Sequence, residues 1–341
     1  MQALVDEIKS YSDEAKNIQL KSVFFGGGTP SLLPGKMLQR IIEEIDATFE
    51  WTQDVERTIE CNPDSATLSK LTLYRQLGFN RISFGLQSCN DDELKRIGRV
   101  HNYQAFLEAY QNARKVGFTN INIDVMSALP GQSLESYIDT LKRIIRLRPE
   151  HISSYSLILE EGTPMYNKAQ SGELTFPDEE LDREMYHKTK EILANAGYNR
   201  YEISNYSRSG FESRHNLIYW NEDEYIGVGL GASSYLDGVR FKNTDSFEEY
   251  FKAKGRQVRM EEQVLSIQDR IEEFMFLGLR KTAGVSKAEF YKRFKRTMES
   301  EYAQVLEKLH NQGVLVFDND RVFLTDEGLD ISNYILSEFL K

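Results

Sequence analysis

Three consecutive glycines, Gly26-Gly27-Gly28, follow a short apolar segment and lead into Thr29 and Pro30. Glycine lets the backbone approach a bound molecule closely, because no Cβ stands in the way. The N–H groups ahead of a helix start also attract carboxylates and phosphates. The run is neither a Gly-x-Gly-x-x-Gly motif nor a Walker loop, since no Lys-Ser/Thr pair follows it. We therefore predict a small-ligand site of another kind where the first strand ends.

Polar side chains also mark the ends of three later predicted strands. Glu60, Gln87 and Asp124 each stand at or near the end of an apolar strand segment. One such residue is usually only a turn former, but here four successive predicted strands end on glycines or polar groups. In barrels of parallel strands, the site lies at the carboxyl ends of the strands. These four strand ends are therefore expected to form one site.

The elements that would position these residues alternate between helix and strand, which predicts a parallel sheet. Three helices end at a glycine suited to the C′ position, and an aromatic residue and a strand follow each one (Gly78, Gly117 and Gly197). We predict a partial TIM-type (β/α) barrel, with a doubly wound sheet as the runner-up. The predicted strands are 22–26, 55–61, 81–87, 120–126, 151–159 and 200–203, and the predicted helices are 3–16, 36–49 and 64–78.

The pattern changes from about residue 259 onward. Helical periodicity at 264–280, 286–294 and 299–312 precedes a hairpin at 313–325, which is a winged-helix layout. Residues 261–341 hold 11 Lys/Arg against 15 Asp/Glu, and an acidic module is a poor phosphate binder. We therefore favour a packing or partner domain over a DNA-binding one. The predicted units are a barrel core at 1–165, a barrel-closing segment at 166–258 and this helical domain at 259–341.

Composition narrows the class of protein. The net charge of −11 argues against general nucleic-acid binding, which needs a basic surface. No apolar stretch approaches the ~20 residues of a membrane span, and the first residues resemble an amphipathic helix rather than a signal peptide. The expected compartment is the cytoplasm. The five histidines show no zinc-type spacing, and the two cysteines cannot build a disulfide framework.

Further motifs occur in a fixed order along the chain. They are Glu60-Cys61-Asn62-Pro63, Gly85-Leu86-Gln87-Ser88, the segment 96–102, Asn122-Ile123-Asp124 and Leu129-Pro130-Gly131-Gln132. Together with the glycine run, they resemble the signatures of the radical S-adenosylmethionine (SAM) family of oxygen-independent coproporphyrinogen III oxidases and their relatives. The resemblance covers essentially the whole chain. It implies a partial barrel of the radical SAM kind, without its first strand in this sequence, and a C-terminal helical domain.

One motif resembles a single branch of that family. His215-Asn216-Leu217-Ile218-Tyr219-Trp220 is similar to the His-Asn-x-x-Tyr-Trp pattern of the haem-chaperone, or HemW-type, branch. Imidazole is a good axial ligand for haem iron, and the rings of Tyr219 and Trp220 offer flat apolar faces to a porphyrin. A lone histidine beside aromatic residues is otherwise typical of a buried structural residue. The resemblance implies haem binding by His215, Tyr219 and Trp220, with His215 on the iron.

The resemblance also implies which residues bind S-adenosylmethionine. They are Gly27, Gly28, Thr29, Glu60, Gln87, Arg99 and Asp124. The glycines and the threonine would hold the amino end of the ligand through backbone groups, and Glu60 would face an ammonium or a ribose hydroxyl. Arg99 would pair with the methionine carboxylate, although it could also form a surface ion pair. Asp124 could also be a strand-end cap.

The family holds a [4Fe–4S] cluster on a Cys-x-x-x-Cys-x-x-Cys segment, and that motif does not occur in this sequence. Cys61 and Cys89 stand on different strands and are expected to be reduced thiols rather than cluster ligands. Either the chain is truncated, which we favour because Met1 opens directly into a helix, or it is a relative without a cluster. In both cases radical chemistry is not expected of the chain as written.

The predicted function is that of a haem chaperone, which binds haem and passes it to an acceptor protein. The alternative is an oxygen-independent coproporphyrinogen III oxidase (dehydrogenase) of porphyrin biosynthesis, and a third possibility is a nucleoside-binding barrel without haem. No catalytic residue is assigned. The expected partner is a haem acceptor that the sequence does not identify. A homodimer and a peripheral membrane contact are left open.

Overall fold

The computed structural model describes residues 1–253, 255–318 and 320–340. Its largest sheet has seven strands in the spatial order β1-β2-β3-β4-β5-β7-β6. They are β1 (Gln19–Phe25), β2 (Glu50–Cys61), β3 (Arg81–Gln87), β4 (Ile121–Ser127), β5 (His151–Ser156), β6 (Asn199–Arg200) and β7 (Asn205–Ser207). The first five strands are parallel and sequential, whereas β7 and β6 are antiparallel to their neighbours.

This topology confirms the partial barrel and excludes the doubly wound alternative. A doubly wound sheet reverses its strand order at a switch point, and no reversal occurs between β1 and β5. The sheet instead curls into a half-barrel. The strand predicted at 200–203 is only the short edge strand β6, because the chain turns back at once to form β7.

The helices of this part pack mainly on the outer face of the sheet. They are α1 (Gln2–Lys9), α2 (Ser12–Ala15), α3 (Gly35–Thr48), α4 (Leu68–Gln76), α5 (Asp91–Arg96), α6 (Tyr103–Lys115), α7 (Leu134–Leu147), α8 (Pro164–Gln170), α9 (Glu179–Asn195), α10 (Arg214–Trp220) and α11 (Phe247–Lys252), with 3₁₀ turns at Pro30–Leu32, Pro63–Ser65 and Gly255–Val258. The single helix predicted at 3–16 is divided in two. The Ser10 hydroxyl donates to the Glu7 carbonyl oxygen at 2.6 Å, which competes with helix continuation at this point.

The two faces of the half-barrel differ in chemistry because strand side chains alternate. Ile82, Phe84 and Leu86 of β3 are fully buried in the apolar core against the helices. Arg81, Ser83, Gly85 and Gln87 alternate with them and face the barrel interior. The same alternation sends Ile121, Ile123 and Val125 of β4 into that core and leaves Asn122 and Asp124 on the inner face. The polar inner face is where a ligand can be held.

A second sheet ties the N-terminal helix to the rest of the chain. Its strands are β8 (Ser233–Leu236), β9 (Val239–Asn243) and β10 (Arg259–Val264). The buried Glu7 carboxylate accepts hydrogen bonds from the backbone N–H of Gly229 at 3.0 Å, from Asn243 at 2.6 Å and from the Tyr250 hydroxyl at 2.6 Å. This cluster fixes α1 against the glycine-rich segment 227–231.

The C-terminal part has its own apolar core. Its elements are α12 (Ile267–Gly278), β11 (Val285–Ser286), α13 (Lys287–Phe294), α14 (Met298–Asn311), β12 (Leu315–Phe317), β13 (Arg321–Leu324), α15 (Asp326–Asp330) and α16 (Ser332–Ser337). Three helices followed by a small hairpin sheet form the predicted winged-helix-like layout. It joins the barrel where the Thr282 backbone N–H donates to the Tyr201 carbonyl oxygen at 3.0 Å. None of the helices in the described ranges is long and apolar enough to cross a membrane.

Candidate functional site

The glycine run forms an exposed loop at the carboxyl end of β1. Gly27 and Gly28 have φ values of +77° and +57°, in the left-handed region that favours glycine. A Cβ at either position would meet nothing within 4 Å, so the backbone there is open to a ligand. Gly26 is different, because a Cβ there would lie 2.6 Å from the Phe24 ring and 3.2 Å from the carboxyl carbon of Glu60.

Two carboxylates, Glu60 on β2 and Asp124 on β4, lie beside this loop, with β3 between their strands. Glu60 accepts a hydrogen bond from the Gly27 backbone N–H at 3.2 Å. Burial raises the pKa of Glu60, and the nearby Asp124 charge raises it further. Burial also raises the pKa of Asp124, although the Asn122 amide donates to its carboxylate at 2.7 Å. Within the described ranges neither carboxylate forms an ion pair, so both can accept a cationic ligand group.

Tyr155 links the remaining predicted residues, Gln87 and Arg99, to the same region. Gln87, which is buried and has a φ of +72°, accepts a hydrogen bond from the Tyr155 hydroxyl at 3.3 Å. Burial raises the pKa of Tyr155, and among lesser causes the Asp124 charge raises it and the Arg99 charge lowers it. The Arg99 guanidinium donates a long hydrogen bond, 3.5 Å, to the Asn62 side-chain oxygen. We call Gly26–Thr29, Glu60, Gln87, Arg99 and Asp124 the glycine-loop site.

Thr29 adds its backbone rather than its side chain to this region. It precedes the 3₁₀ turn Pro30–Leu32, and its carbonyl oxygen accepts from the Leu32 N–H at 3.0 Å. Its hydroxyl does not cap that turn. The glycine run is therefore followed only by a short turn, and the helix predicted at 36–49 is α3, which begins at Gly35.

His215 lies at the start of α10, which packs beside β1. Its Nδ1 is 3.0 Å from the Ser22 hydroxyl oxygen, and its Nε2 is 2.9 Å from the Tyr219 hydroxyl oxygen. The imidazole stacks on the Phe24 ring with centroids 4.8 Å apart. Burial and, to a smaller extent, the Arg81 charge lower the pKa of His215 to about 4, so the ring is neutral at pH 7. We call His215, Ser22, Phe24 and Tyr219 the His215 site.

Strand β2 fixes the start of α10. The buried Glu56 carboxylate accepts from the backbone N–H groups of Arg214 and His215, each at 3.2 Å. A carboxylate at a helix N-terminus is stabilised by the free N–H groups and the helix dipole. His215 is therefore held by its backbone as well as by its ring.

The structure separates Trp220 from the other two predicted haem residues. Tyr219 meets the His215 ring edge-on and also contacts Tyr225, with ring centroids 4.7 Å apart in the second pair. Trp220 points to another side of α10, where the Arg280 guanidinium lies 4.9 Å from the centre of its ring. Trp220 thus packs against the C-terminal part of the chain.

Sequence reasoning missed Arg81 and Tyr155. Arg81 is 2% exposed, and its Nε has no acceptor in the described part of the chain. Its charge lowers the pKa values of Glu60, Asp124 and His215, so it acts electrostatically on both sites. The signal was present, because the alternation of β3 puts Arg81 on the same face as Gln87.

The two cysteines do not form a metal site. Cys61 and Cys89 are both free and buried in the apolar core. Burial raises the pKa of the Cys89 thiol to about 12, and that of Cys61 still further, so neither is a thiolate at neutral pH. Within the ranges that the structure describes, no group of three or more His, Cys, Asp or Glu side chains could hold a metal ion.

Comparison with known proteins identifies the family. Residues 2–144 match the radical SAM superfamily, and residues 265–331 match the HemN C-terminal domain. Over its full length the chain is 38% identical to the heme chaperone HemW of Lactococcus lactis, covering 89% of that protein, and 37% identical to that of Bacillus subtilis, covering 90%. The Escherichia coli heme chaperone HemW is 31% identical, with 89% covered. The chain belongs to the HemW family of radical SAM proteins.

A solved structure supports the same fold. Coproporphyrinogen III oxidase (HemN) of Escherichia coli superimposes with a TM-score of 0.86, over 100% of this chain and 82% of that one. The two sequences are only 22% identical, so this likeness concerns the fold alone. It confirms a partial barrel followed by a C-terminal domain.

Radical SAM membership implies S-adenosylmethionine and a [4Fe–4S] cluster, and the residues present fit only the first. S-adenosylmethionine is cationic at its amine and sulfonium and anionic at its carboxylate. In the part of the chain that the structure describes, the glycine-loop site offers two carboxylates without ion pairs, one arginine and exposed backbone. Cys61 and Cys89 do not fit a cluster, because they are two buried thiols rather than three accessible thiolates.

Proposed function

We propose that this protein is a haem chaperone that binds one haem through His215 and passes it to an acceptor protein. HemW relatives carry the name heme chaperone, and we extend that role to this chain. The observation that carries the proposal is the chemistry of the His215 ring. It is a neutral imidazole lying flat on an aromatic ring, and a neutral imidazole is the form that ligates haem iron.

The hydrogen bonds of His215 suggest how iron would be accepted. If Nδ1–H donates to Ser22, Nε2 carries the free electron pair and accepts from the Tyr219 hydroxyl. Iron would then replace the Tyr219 hydroxyl at Nε2, while Ser22 keeps the ring oriented. A hydrogen bond to the second nitrogen of a ligating histidine fixes its tautomer and its direction in this way.

S-adenosylmethionine would bind at the glycine-loop site. Glu60 and Asp124 would face its cationic groups, Arg99 its carboxylate, and the exposed backbone of Gly27 and Gly28 its polar end. We assign these residues binding and orientation only, and derive no radical step. The site lies on the same strand as the His215 site, so one ligand would bind at the end of β1 and the other beside its middle.

A haem titration tests the proposal. Ferric haem added to the purified protein is expected to give a shifted and saturable Soret band, which the His215→Ala variant loses. His187→Ala is the matched control, because His187 is half exposed on α9 and lies in neither site. A Soret band that is the same in His215→Ala as in the unaltered protein would overturn the assignment of His215.

A second assay separates the chaperone from the coproporphyrinogen III oxidase alternative. The protein is incubated anaerobically with coproporphyrinogen III, S-adenosylmethionine and a reductant, and the porphyrins are analysed by chromatography. No oxidative decarboxylation of the two propionates is expected. Repeated turnover to the decarboxylated product would favour the enzyme.

A further inference from the structure

A cavity of about 270 Å³ lies between the end of α10 and the C-terminal part of the chain. Trp220, Phe274 and Val285 give it apolar walls. Its lining includes neither His215 nor Tyr219, and no residue of the glycine-loop site. Pockets for drug-sized ligands start at about 300 Å³, so this cavity suits a smaller molecule.

The acidic residues of the cavity are already paired. Asp223 and Glu289 both line it, and both bind the Arg293 guanidinium, at 3.3 Å and 2.9 Å. The buried Glu222 carboxylate, just behind, binds Arg293 at 3.5 Å and Arg270 at 3.3 Å. These carboxylates therefore leave little negative charge for any other cation in the cavity.

Two further cations line the same cavity without a carboxylate partner. The Lys281 ammonium donates to the side-chain oxygen of Asn221, and Arg321 donates to the backbone carbonyls of residues 283–284 at 2.6 Å and 3.1 Å. Within residues 1–253, 255–318 and 320–340, neither side chain forms an ion pair. Two adjacent half-buried cations with only neutral acceptors are poorly compensated, because burial removes the water that would otherwise stabilise their charge.

The acid–base behaviour of Lys281 agrees with this geometry. Burial and then the positive charge of Arg321 lower its pKa to about 8, although the Asp223 charge partly offsets them, and Arg293 adds a smaller lowering. A bound anion would reverse that effect, because an opposite charge within about 4–6 Å favours the charged form. The cavity therefore combines an apolar wall with two cations that an oxyanion would stabilise.

We propose that this cavity binds a small organic acid whose carboxylate pairs with Lys281 and Arg321 and whose apolar part packs on Trp220 and Phe274. The apolar wall distinguishes such a ligand from a bare inorganic oxyanion, which would leave that wall unused. The proposal does not depend on haem binding, because it uses different residues on a different side of α10. Occupancy would fasten the end of α10 to the C-terminal part of the chain.

Tryptophan fluorescence provides a direct test, because the chain has only Trp51 and Trp220. In a Trp51→Phe background, Trp220 is the single reporter and lies in the cavity wall. Haem-free protein is titrated with sodium benzoate as a small organic acid and, separately, with sodium phosphate, at constant ionic strength adjusted with chloride. A saturable change in emission is expected with benzoate and a much weaker one with phosphate.

Variants of the two cations identify the site. Lys281→Met and Arg321→Met are each expected to weaken benzoate binding about tenfold or more, and Lys281→Arg to retain most of it. Lys292→Met is the matched control, since Lys292 is 77% exposed on α13 and does not line the cavity. A cooperative thermal unfolding transition without benzoate verifies that the two variants fold, and added benzoate is expected to raise the melting temperature of the unaltered protein but not of these variants.

Three outcomes would overturn the proposal. The first is no saturable response to benzoate. The second is a response that survives unchanged in Lys281→Met and Arg321→Met. The third is a response to phosphate equal to or stronger than that to benzoate, which would show that the apolar wall plays no part in binding.

Discussion

The glycine-loop site and the His215 site share strand β1 but satisfy their polar groups in opposite ways. Glu60, Asp124 and Arg99 have no ion-pair partners in the described ranges, and the glycine backbone is open. His215, in contrast, has both ring nitrogens within 3.0 Å of a hydroxyl and its ring stacked on Phe24. A polar ligand can enter the glycine-loop site directly. At the His215 site, a group that binds Nε2 must first displace the hydrogen bond to the Tyr219 hydroxyl.

The largest expected effect is the pH dependence that His215 gives to the free energy of unfolding. The pKa of His215 is about 4 in the folded protein and about 6.5 in an unfolded chain, so the unfolded chain binds more protons between these values. The free energy of unfolding therefore falls as the pH is lowered from 6.5 to 4, by at most about 3 kcal/mol from this group. In His215→Gln this part of the pH dependence is expected to disappear. The measurement is the free energy of unfolding from urea titrations at pH 7, 5.5 and 4.

The buried His151, whose pKa is also lowered, is unchanged in both proteins, so the difference between them isolates His215. An identical pH dependence in the two proteins would mean that His215 is not held neutral by burial.

Glu60→Gln tests the open character of the glycine-loop site. A hydrogen bond to a charged group contributes about 1.5–3 kcal/mol, so we expect roughly tenfold to hundredfold weaker S-adenosylmethionine binding by calorimetry. Haem binding should not change. Glu43→Gln, on the exposed face of α3, is the control. Unchanged S-adenosylmethionine affinity in Glu60→Gln would contradict the predicted role of that carboxylate.

Gly26→Ala tests whether the two sites are mechanically connected. The added methyl group would collide with the Phe24 ring, on which His215 lies, and would press on Glu60. We expect a cost of about 1–3 kcal/mol from overpacking, and weaker binding of both haem and S-adenosylmethionine. In Gly28→Ala the added methyl group meets no neighbour within 4 Å. This variant should weaken only S-adenosylmethionine binding, because a residue other than glycine is strained at the positive φ of this position. Equal haem affinities in Gly26→Ala and Gly28→Ala would show that the two sites are not mechanically connected.

Tyr219→Phe gives the smallest effect, and its direction is informative. Losing the hydroxyl removes a competitor for Nε2 worth about 1 kcal/mol, so haem affinity should rise roughly fivefold in the Soret titration. Ser22→Ala should act in the opposite direction, because it frees the ring to rotate. Weaker haem binding by Tyr219→Phe would indicate that the hydroxyl contacts the haem instead of competing with it.

Much of the fold could be predicted from local patterns. Helix ends at Gly78, Gly117 and Gly197 need a positive φ, and all three have it. The strand at 81–87 is confirmed at its full length. The helix predicted at 3–16 and the strand at 200–203 were wrong in extent, because local hydrogen bonds and an immediate chain reversal prevailed over side-chain periodicity.

The site could be predicted less completely than the fold. Glu60, Gln87 and Asp124 were predicted because strand ends converge at one edge of a parallel sheet, whereas Arg99 was predicted only from the family resemblance. Arg81 was missed because it begins its strand, although the alternation of β3 places it on the same face as Gln87. The roles of all these residues, and of His215 and Tyr219, remain predictions that the experiments above test.

The sequence by itself determined the alternation of strand and helix, the face of each strand and the order of motifs that indicates the family. These depend on local periodicity and on residue types, which are visible in one dimension. Only the tertiary structure decided the partners of the functional groups. Ser22 and His215 are 193 positions apart, and Glu7 and Asn243 are 236 apart. A hydrogen bond acts over about 3 Å, and periodicity fixes only the direction in which a side chain points.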